Sequence, residues 1–408
     1  MLCIPFLLFG CTSFGQADTV ISLISKVDIA PQYQLHDGNK VMLMGYSNTI
    51  GGSIHLPSPT IELREGDSVE LNLWNLSQGP PHTIHLHGLD VNQQNDGVPM
   101  LSFAVAHDDT GTYRFKVPHP GTYVYHCHET SVLHVQAGMY GLLIVRPQSA
   151  DTLTWDGGYA FHSERAWLLT ELDTNWHVDS IINHTYDPLA TTHEILDYNP
   201  QHFLINGLSE HQLIGNVELN AAKDEIVYLR LAGIGYLGNQ VVFPPELNAT
   251  VISSDGRPIP TALQLDTLEI MPGERYGVLL QSSVDLNSVL SVDYFDLNTG
   301  SVVNTQNVNV TVEGLVGHDE LQEPNEWTIY PNPSTDVITL KAPDLPAGEY
   351  EIFAITNSGM IAAHQQINLM QPKELIHLDL SDLQSGTYTI VLATNKSILI
   401  DKLILLKP

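Results

Sequence analysis

Six histidines, one cysteine and one methionine with metal-ligand chemistry fall in two short stretches of this chain. The upstream stretch is His82-Thr83-Ile84-His85-Leu86-His87-Gly88, and the downstream one is His126-Cys127-His128 followed by His134 and Met139. A blue (type 1) copper site takes two imidazoles, one thiolate and a weak axial thioether, and His82, Cys127, His134 and Met139 make that set. Imidazole also suits zinc, which is the main rival, and the place of Met139 after His134 and before Tyr140-Gly141 favours copper.

The positions of these residues within strands divide them further. Side chains on an extended strand alternate between faces with a period of two. In Gly121-Thr122-Tyr123-Val124-Tyr125-His126-Cys127-His128 the sulfur therefore points one way and His126 and His128 the other. His82 lies an odd number of residues from His85 and His87, so it takes the face opposite to theirs. Two sites follow. His82, Cys127, His134 and Met139 are expected inside a domain, and His85, His87, His126 and His128 are expected to project from its outer wall. Cys127 and its neighbours join the two covalently. Isolated histidines such as His55, His107 and His119 are read as surface or core residues.

On these residues the segment resembles the multicopper oxidase family, which includes laccases and is related to copper nitrite reductases. The resemblance covers residues 40 to 315. It is carried by His82-x-x-His85-x-His87-Gly88, Asp96-Gly97-Val98-Pro99, and Gly121 through His128 running on to Gly138-Met139-Tyr140-Gly141. It implies that His82, Cys127, His134 and Met139 are type 1 copper ligands and that His85, His87, His126 and His128 belong to a trinuclear type 2/type 3 copper cluster, with His126, Cys127 and His128 carrying the catalytic link. Two departures stand out. One domain here carries both the Asp-Gly-Val-Pro sequence and the type 1 cysteine, which three-domain members divide between domains. The step from Cys127 to His134 is also longer than in laccases, which predicts an enlarged loop.

Composition bounds the class. The 408 residues hold 46 acidic against 16 basic side chains, a formal charge of -30. That excludes a general nucleic-acid binder and leaves cationic or phenolic reductants unrepelled. Of the three cysteines, Cys3 and Cys11 lie in the apolar stretch Met1 to Cys11, which reads as a secretory leader over residues 1–17, too short for a membrane helix; a lipoprotein signal ending at Cys11 is the other reading. Once the leader is removed, Cys127 has no disulfide partner in the chain, and a metal is its natural occupant.

Beyond the leader, short runs of β-branched and aromatic residues separated by Gly, Pro, Asn and Asp predict an all-β chain: two cupredoxin-like Greek-key β-barrels followed by a small β-sandwich sorting domain. The first barrel is placed at residues 22–146 with the copper ligands. A second, without copper, is placed at 167–314, where Phe203-Leu204-Ile205-Asn206-Gly207 and Met271-Pro272-Gly273-Glu274-Arg275-Tyr276 resemble the second domain of laccase-like oxidases. Its histidines, His162, His177, His184, His193, His202 and His211, are scattered and form no His-x-His pair. A polar linker at 317–326 precedes residues 327–408, where Tyr330-Pro331-Asn332-Pro333 and Leu380 through Tyr388 resemble the C-terminal sorting domain of the type IX secretion system. The resemblance implies engagement of that machinery and a secreted or cell-surface location.

Three functions fit these residues. The first is an oxidase that takes single electrons from a small-molecule or metal-ion reductant at the type 1 copper and reduces dioxygen to water at the trinuclear cluster. The second is a nitrite-reductase-like enzyme using His87, His126 and a neighbour's histidine, although such reductases carry an acid where His85 stands and no ligand where His128 stands. The third is an electron carrier using the type 1 centre alone. A trinuclear cluster of this family takes eight imidazoles, and the first domain offers four. The expected donor of the rest is the same face of a second copy, in a homo-oligomer.

Overall fold

Along Ser68–Asn75 the side chains alternate, with Val69, Leu71, Leu73 and Asn75 buried and the residues between them half-exposed. This is the signature of a strand with one wet face. The computed structural model describes residues 17–77, 79, 81–182, 197–314, 328–345, 348–356, 361–369, 373–381, 383–393 and 398–407. Residues 1–16 of the expected leader, the linker at 317–326, His184 and His193 lie outside them. Among the described residues, no helix is long and apolar enough to cross a membrane.

Two four-stranded sheets make the first barrel. One runs in the order Met44–Ser47, Thr19–Val27, Ser68–Asn75, Thr110–Lys116; the other in the order Ser58–Arg64, Tyr140–Arg146, Gly121–His126, His85–His87. Thr19–Val27 pairs parallel with Ser68–Asn75, and Tyr140–Arg146 parallel with Ser58–Arg64, while the other pairs are antiparallel. The first strand starts at Thr19, three residues before the expected boundary at Ser22. Between the sheets lies a core that includes Leu23, Leu71, Leu73, Tyr113, Tyr123, Tyr125 and Leu143, with Cys127 and Met139 at one end.

The strand Gly121–His126 is buried on both faces. Tyr123 and Tyr125 enter the barrel's own core, whereas Val124, with Tyr140 and Leu142, packs on Leu168, Leu172, Leu204, Ala232 and Ile234 of the second domain. A polar seam runs beside this contact. Arg146 of the first domain and the buried Arg230 of the second both hold Glu164, and Arg230 also donates to Thr122 Oγ1 at 3.0 Å.

The second domain pairs a six-stranded sheet, starting at Ser163 rather than Trp167, with a five-stranded one. Its core includes Trp167, Phe203, Leu231, Phe243, Val292 and Tyr294. The chain divides into two compact units, 1–315 and 316–408. The second unit sets a three-stranded sheet, Thr328–Tyr330, Val337–Leu345 and Lys373–Asp379, with a four-stranded one ordered Ile361–Leu369, Gly348–Thr356, Gly386–Ala393, Ile398–Leu405. Asn332 of its Tyr-Pro-Asn-Pro motif caps the last strand, accepting from the Ile404 N–H at 2.9 Å and donating to the Lys402 carbonyl at 2.6 Å.

Candidate metal centres

Extended geometry ends at His126, and the next residue carries the sulfur. The Cys127 N–H donates to the Met139 carbonyl at 3.0 Å, and the Met139 N–H donates to the His134 carbonyl at 2.9 Å, so the returning chain is held against the cysteine. The long step between Cys127 and His134 is not an open loop. Its residues wind into the short helix Ser131–Ala137, which presents His134 from its interior. Gly138 ends the helix at φ +117, and its N–H closes on the His134 and Val135 carbonyls. A Cβ at Gly138 would lie 2.8 Å from the Met44 carbonyl oxygen, so both conformation and space require glycine there.

Cys127 Sγ lies 3.6 Å from His82 Nδ1 and 3.3 Å from His134 Nδ1, and all three residues are buried. Metal–nitrogen and metal–sulfur bonds of ordinary length at a tetrahedral angle separate N and S by about 3.6 Å, so the pocket has the dimensions of a metal site. Met139 is fully buried in the same core end. Burial holds the His134 imidazole down to about 4 and that of His82 well below its ordinary value, the nearby His134 adding to the effect. Both rings therefore offer lone pairs. Burial pushes the Cys127 thiol up to about 11, and a cation at this spot is what favours its thiolate.

On the opposite face of the same strand stands a second group. His85 pairs in register with His126, and His87 with Val124. One ligand nitrogen from each of His85, His87 and His126 falls within a single 4.8 Å group. His85 Nδ1 donates to the Asp96 carbonyl at 2.7 Å, and His126 Nδ1 donates to the Cys127 carbonyl at 2.9 Å. Carbonyls only accept, so each ring carries its proton on Nδ1 and leaves Nε2 bare. His126 Nε2 lies 3.3 Å from His87 Nδ1. The His128 ring stands 5.1 Å from that of His85 and 5.9 Å from that of His126, beside the close group rather than in it. Burial lowers the basicity of His87, to about 4, and of His126, to about 3; for His87 the Arg275 charge is the second cause. His85 is lowered too, again by burial first.

Supporting residues position the ligands. Gly97, at φ +77, lets the Asp96 carbonyl reach His85, since a Cβ there would meet the Ile84 carbonyl oxygen at 2.0 Å. Thr83 Oγ1 accepts from the His128 N–H at 2.9 Å, and Tyr46 donates to the Thr83 carbonyl. Tyr113 Oη accepts from the Ile84 N–H at 3.0 Å. The Gly273 and Arg275 loop of the second domain covers His87 and Gly88. Thr83 was visible between two ligand positions; the covering loop was visible as the Met271–Tyr276 motif, but nothing local placed it beside an imidazole.

Residues 35–150 and 172–314 each match the family described as multicopper oxidase, and residues 328–406 match the secretion system C-terminal sorting domain. The chain belongs to the multicopper oxidase family, whose members bind copper at type 1 and trinuclear sites. Copper resistance protein A of Escherichia coli is 39% identical over 111 residues, covering 27% of this chain and 18% of that protein. The chain spans less than half the length of the curated relatives it matches first. Among solved structures, the blue copper oxidase from Nitrosomonas europaea has a TM-score of 0.56 at 24% identity, covering 73% of this chain and 86% of that one. The copper nitrite reductase from the same organism has a TM-score of 0.52 at 17% identity, covering 72% and 94%. These likenesses speak for the fold.

Proposed function

We propose that this protein is an exported copper oxidase, oxidising a small-molecule or metal-ion reductant one electron at a time and reducing dioxygen to water. The observation that carries the reading is the convergence of Cys127 Sγ with the Nδ1 atoms of His82 and His134 in a closed pocket, back to back with the His85, His87 and His126 nitrogens across one strand. Copper, when bound, supplies the one-electron chemistry. The chain's part is to hold the ligands and exclude water. His82, Cys127, His134 and Met139 would hold the buried ion, and His85, His87, His126 and His128 the outer ones. The Cys127 backbone links the pockets, since its carbonyl fixes His126 and its nearest neighbours in sequence are His126 and His128. The Asp96 carboxylate, 3.5 Å from His85 Nδ1 and only partly exposed, sets an acidic side chain beside the outer group.

Four imidazoles do not complete an eight-imidazole cluster. A second copy of the first domain, meeting this one around a two-fold axis, supplies the other four. Met100, 95% exposed, and Leu101, half-exposed, follow directly on Asp96-Gly97-Val98-Pro99 and give this rim an apolar surface for such a contact. The sorting domain provides the address, outside the outer membrane or on its surface. Copper per chain with electron paramagnetic resonance and light scattering tests the whole reading. His85→Ala and His128→Ala are expected to abolish oxygen reduction while sparing the blue absorption, and activity is expected to fall on dilution. A fully active monomer refutes the shared cluster.

A second reading has its own observation: His87 Nδ1 and His126 Nε2 form a close pair at 3.3 Å with His128 outside the group, which suits one mononuclear copper completed by a neighbour's histidine. Nitrite turnover by a trimer with one such copper per chain selects it over the first.

A further inference from the structure

A third convergence of imidazoles lies at the seam between the two barrels, on residues that neither copper pocket uses. His36 sits in the turn between the strands Tyr33–Gln34 and Lys40–Val41 of the first domain. His202 opens the second-domain strand His202–Ile205, and His211 lies in the single turn Glu210–Leu213. The His36 and His202 rings are 5.0 Å apart and those of His36 and His211 6.5 Å. Within the proposed copper pockets, neighbouring rings stand between 4.7 Å, for His82 and His134, and 5.9 Å, for His126 and His128. The new group is therefore spaced almost as closely.

The nitrogens of two of its members face each other, and the exposed His211 ring stands farther off. His36 Nδ1 lies 3.3 Å from His202 Nδ1, and Ser209 Oγ lies 3.0 Å from the same His36 atom. A ring nitrogen has either one hydrogen or one lone pair, so it serves one partner in line and leaves the other contact unfilled. Two nitrogens bound to one tetrahedral ion at ordinary length are separated by about 3.3 Å. His202 is 5% exposed and Ser209 is fully buried, whereas His211 is exposed. The adjacent Asp37 carboxylate bears electrostatically on both His36 and His202 and offsets a cation's charge. The turn is anchored without the ion, because Tyr33 Oη donates to the Gly207 carbonyl at 2.6 Å and Leu35 is in the apolar contact between the domains.

We infer that His36 and His202, with the exposed His211 side chain turning in as the third donor, form a further transition-metal site, for a divalent cation that prefers imidazole such as zinc or copper(II), which clamps the first domain's turn to the second domain. Imidazole donors with an outer carboxylate fit this class of ion and not calcium or magnesium, which take oxygen ligands.

The test uses the full chain and zinc chloride. Wild type, His36→Gln and His211→Gln are dialysed against micromolar zinc and the bound metal is counted by mass spectrometry, with circular dichroism as the check on folding. The expected result is one zinc per chain fewer in His36→Gln, or at least a tenfold weaker affinity, with the same difference in Cys127→Ser and His87→Ala backgrounds. Those backgrounds separate this site from the copper pockets, so failure of the oxidase reading leaves the difference intact. Zinc is also expected to raise the melting temperature of wild type and not of the variant. Equal zinc binding and an equal thermal response in wild type and His36→Gln overturn the site. Should His36→Gln fail to fold, His211→Gln, altered at an exposed side chain, decides by the same count, and unchanged binding there overturns it.

Discussion

Glu171 offers a test of the domain seam that depends on no metal. It is buried, and it lies behind the helix that carries His134: Gln136 of that helix donates to the Glu171 carbonyl at 3.1 Å. Glu171 Oε1 accepts from Tyr198 Oη at 2.7 Å and from the N–H groups of Tyr236 and Leu237, while Oε2 has no partner among the described residues and rests against Gly235. Burial outweighs the donors and pushes the carboxyl up to about 7 from 4.5. Between those two values the unfolded chain has lost this proton and the folded chain keeps it, so stability falls as pH rises through the window. One pKa unit corresponds to 1.36 kcal/mol, and the full window to about 3 kcal/mol. Glu171→Gln removes the titration while leaving an acceptor oxygen for the same donors. In urea melts followed by Trp fluorescence, the wild type is expected to lose about 3 kcal/mol relative to the variant between pH 4.5 and pH 7.5. All other titrating groups cancel in the difference. Parallel stability curves for the two proteins refute the argument.

Four substitutions probe the metal pockets. Cys127→Ser is expected to abolish the thiolate-to-copper absorption in the visible while leaving the circular dichroism of the barrels unchanged, because the apolar core holds them; an unaltered spectrum counts against Cys127 as ligand. Met139→Leu is expected to retain copper and raise the reduction potential, whereas His134→Ala is expected to weaken copper binding at least tenfold; equal loss in both shows that Met139 is not the weak axial donor. Gly97→Ala forces a Cβ against the Ile84 carbonyl at positive φ. It is expected to cost about 2 kcal/mol in a urea melt and to lower copper in the outer group by freeing His85 from Asp96, and a neutral effect on both measurements removes the role assigned to that turn.

What the sequence made legible is what local periodicity can carry. The two-residue period of a strand separated Cys127 from His126 and His128, and the odd step from His82 separated it from His85 and His87; in the structure His82 and Cys127 fall in one group with His134, and His85 and His87 in another with His126, while His128 stands beside the second group. The all-β architecture was legible for the same reason, from alternation such as that of Ser68–Asn75. The helix Ser131–Ala137 was not. Seven residues, four of them the apolar Val132, Leu133, Val135 and Ala137, are too few to hold a helix by propensity. What stabilises this one is the Gly138 cap together with Gln136 and the Val132 carbonyl, which bond across to Glu171 and Tyr236 of the second domain.

Contacts between distant segments have no local period to betray them. Arg275 and Gly273 cover His87 from the far side of the domain boundary, and nothing in their own surroundings marks them as neighbours of an imidazole. His36 and His202 face each other across 166 positions of sequence. Each reads alone as a solitary histidine, for which a surface or core role is the default, and only the packing of the two barrels turns the pair into a set of ligands. A site assembled this way responds to the fit between domains rather than to the fold of either. Changes at the seam, such as ionisation of Glu171, are therefore the perturbations to which an ion held by His36 and His202 should be most sensitive, while the pocket of His82 and Cys127, built within one barrel, should be insulated from them except through the helix of His134.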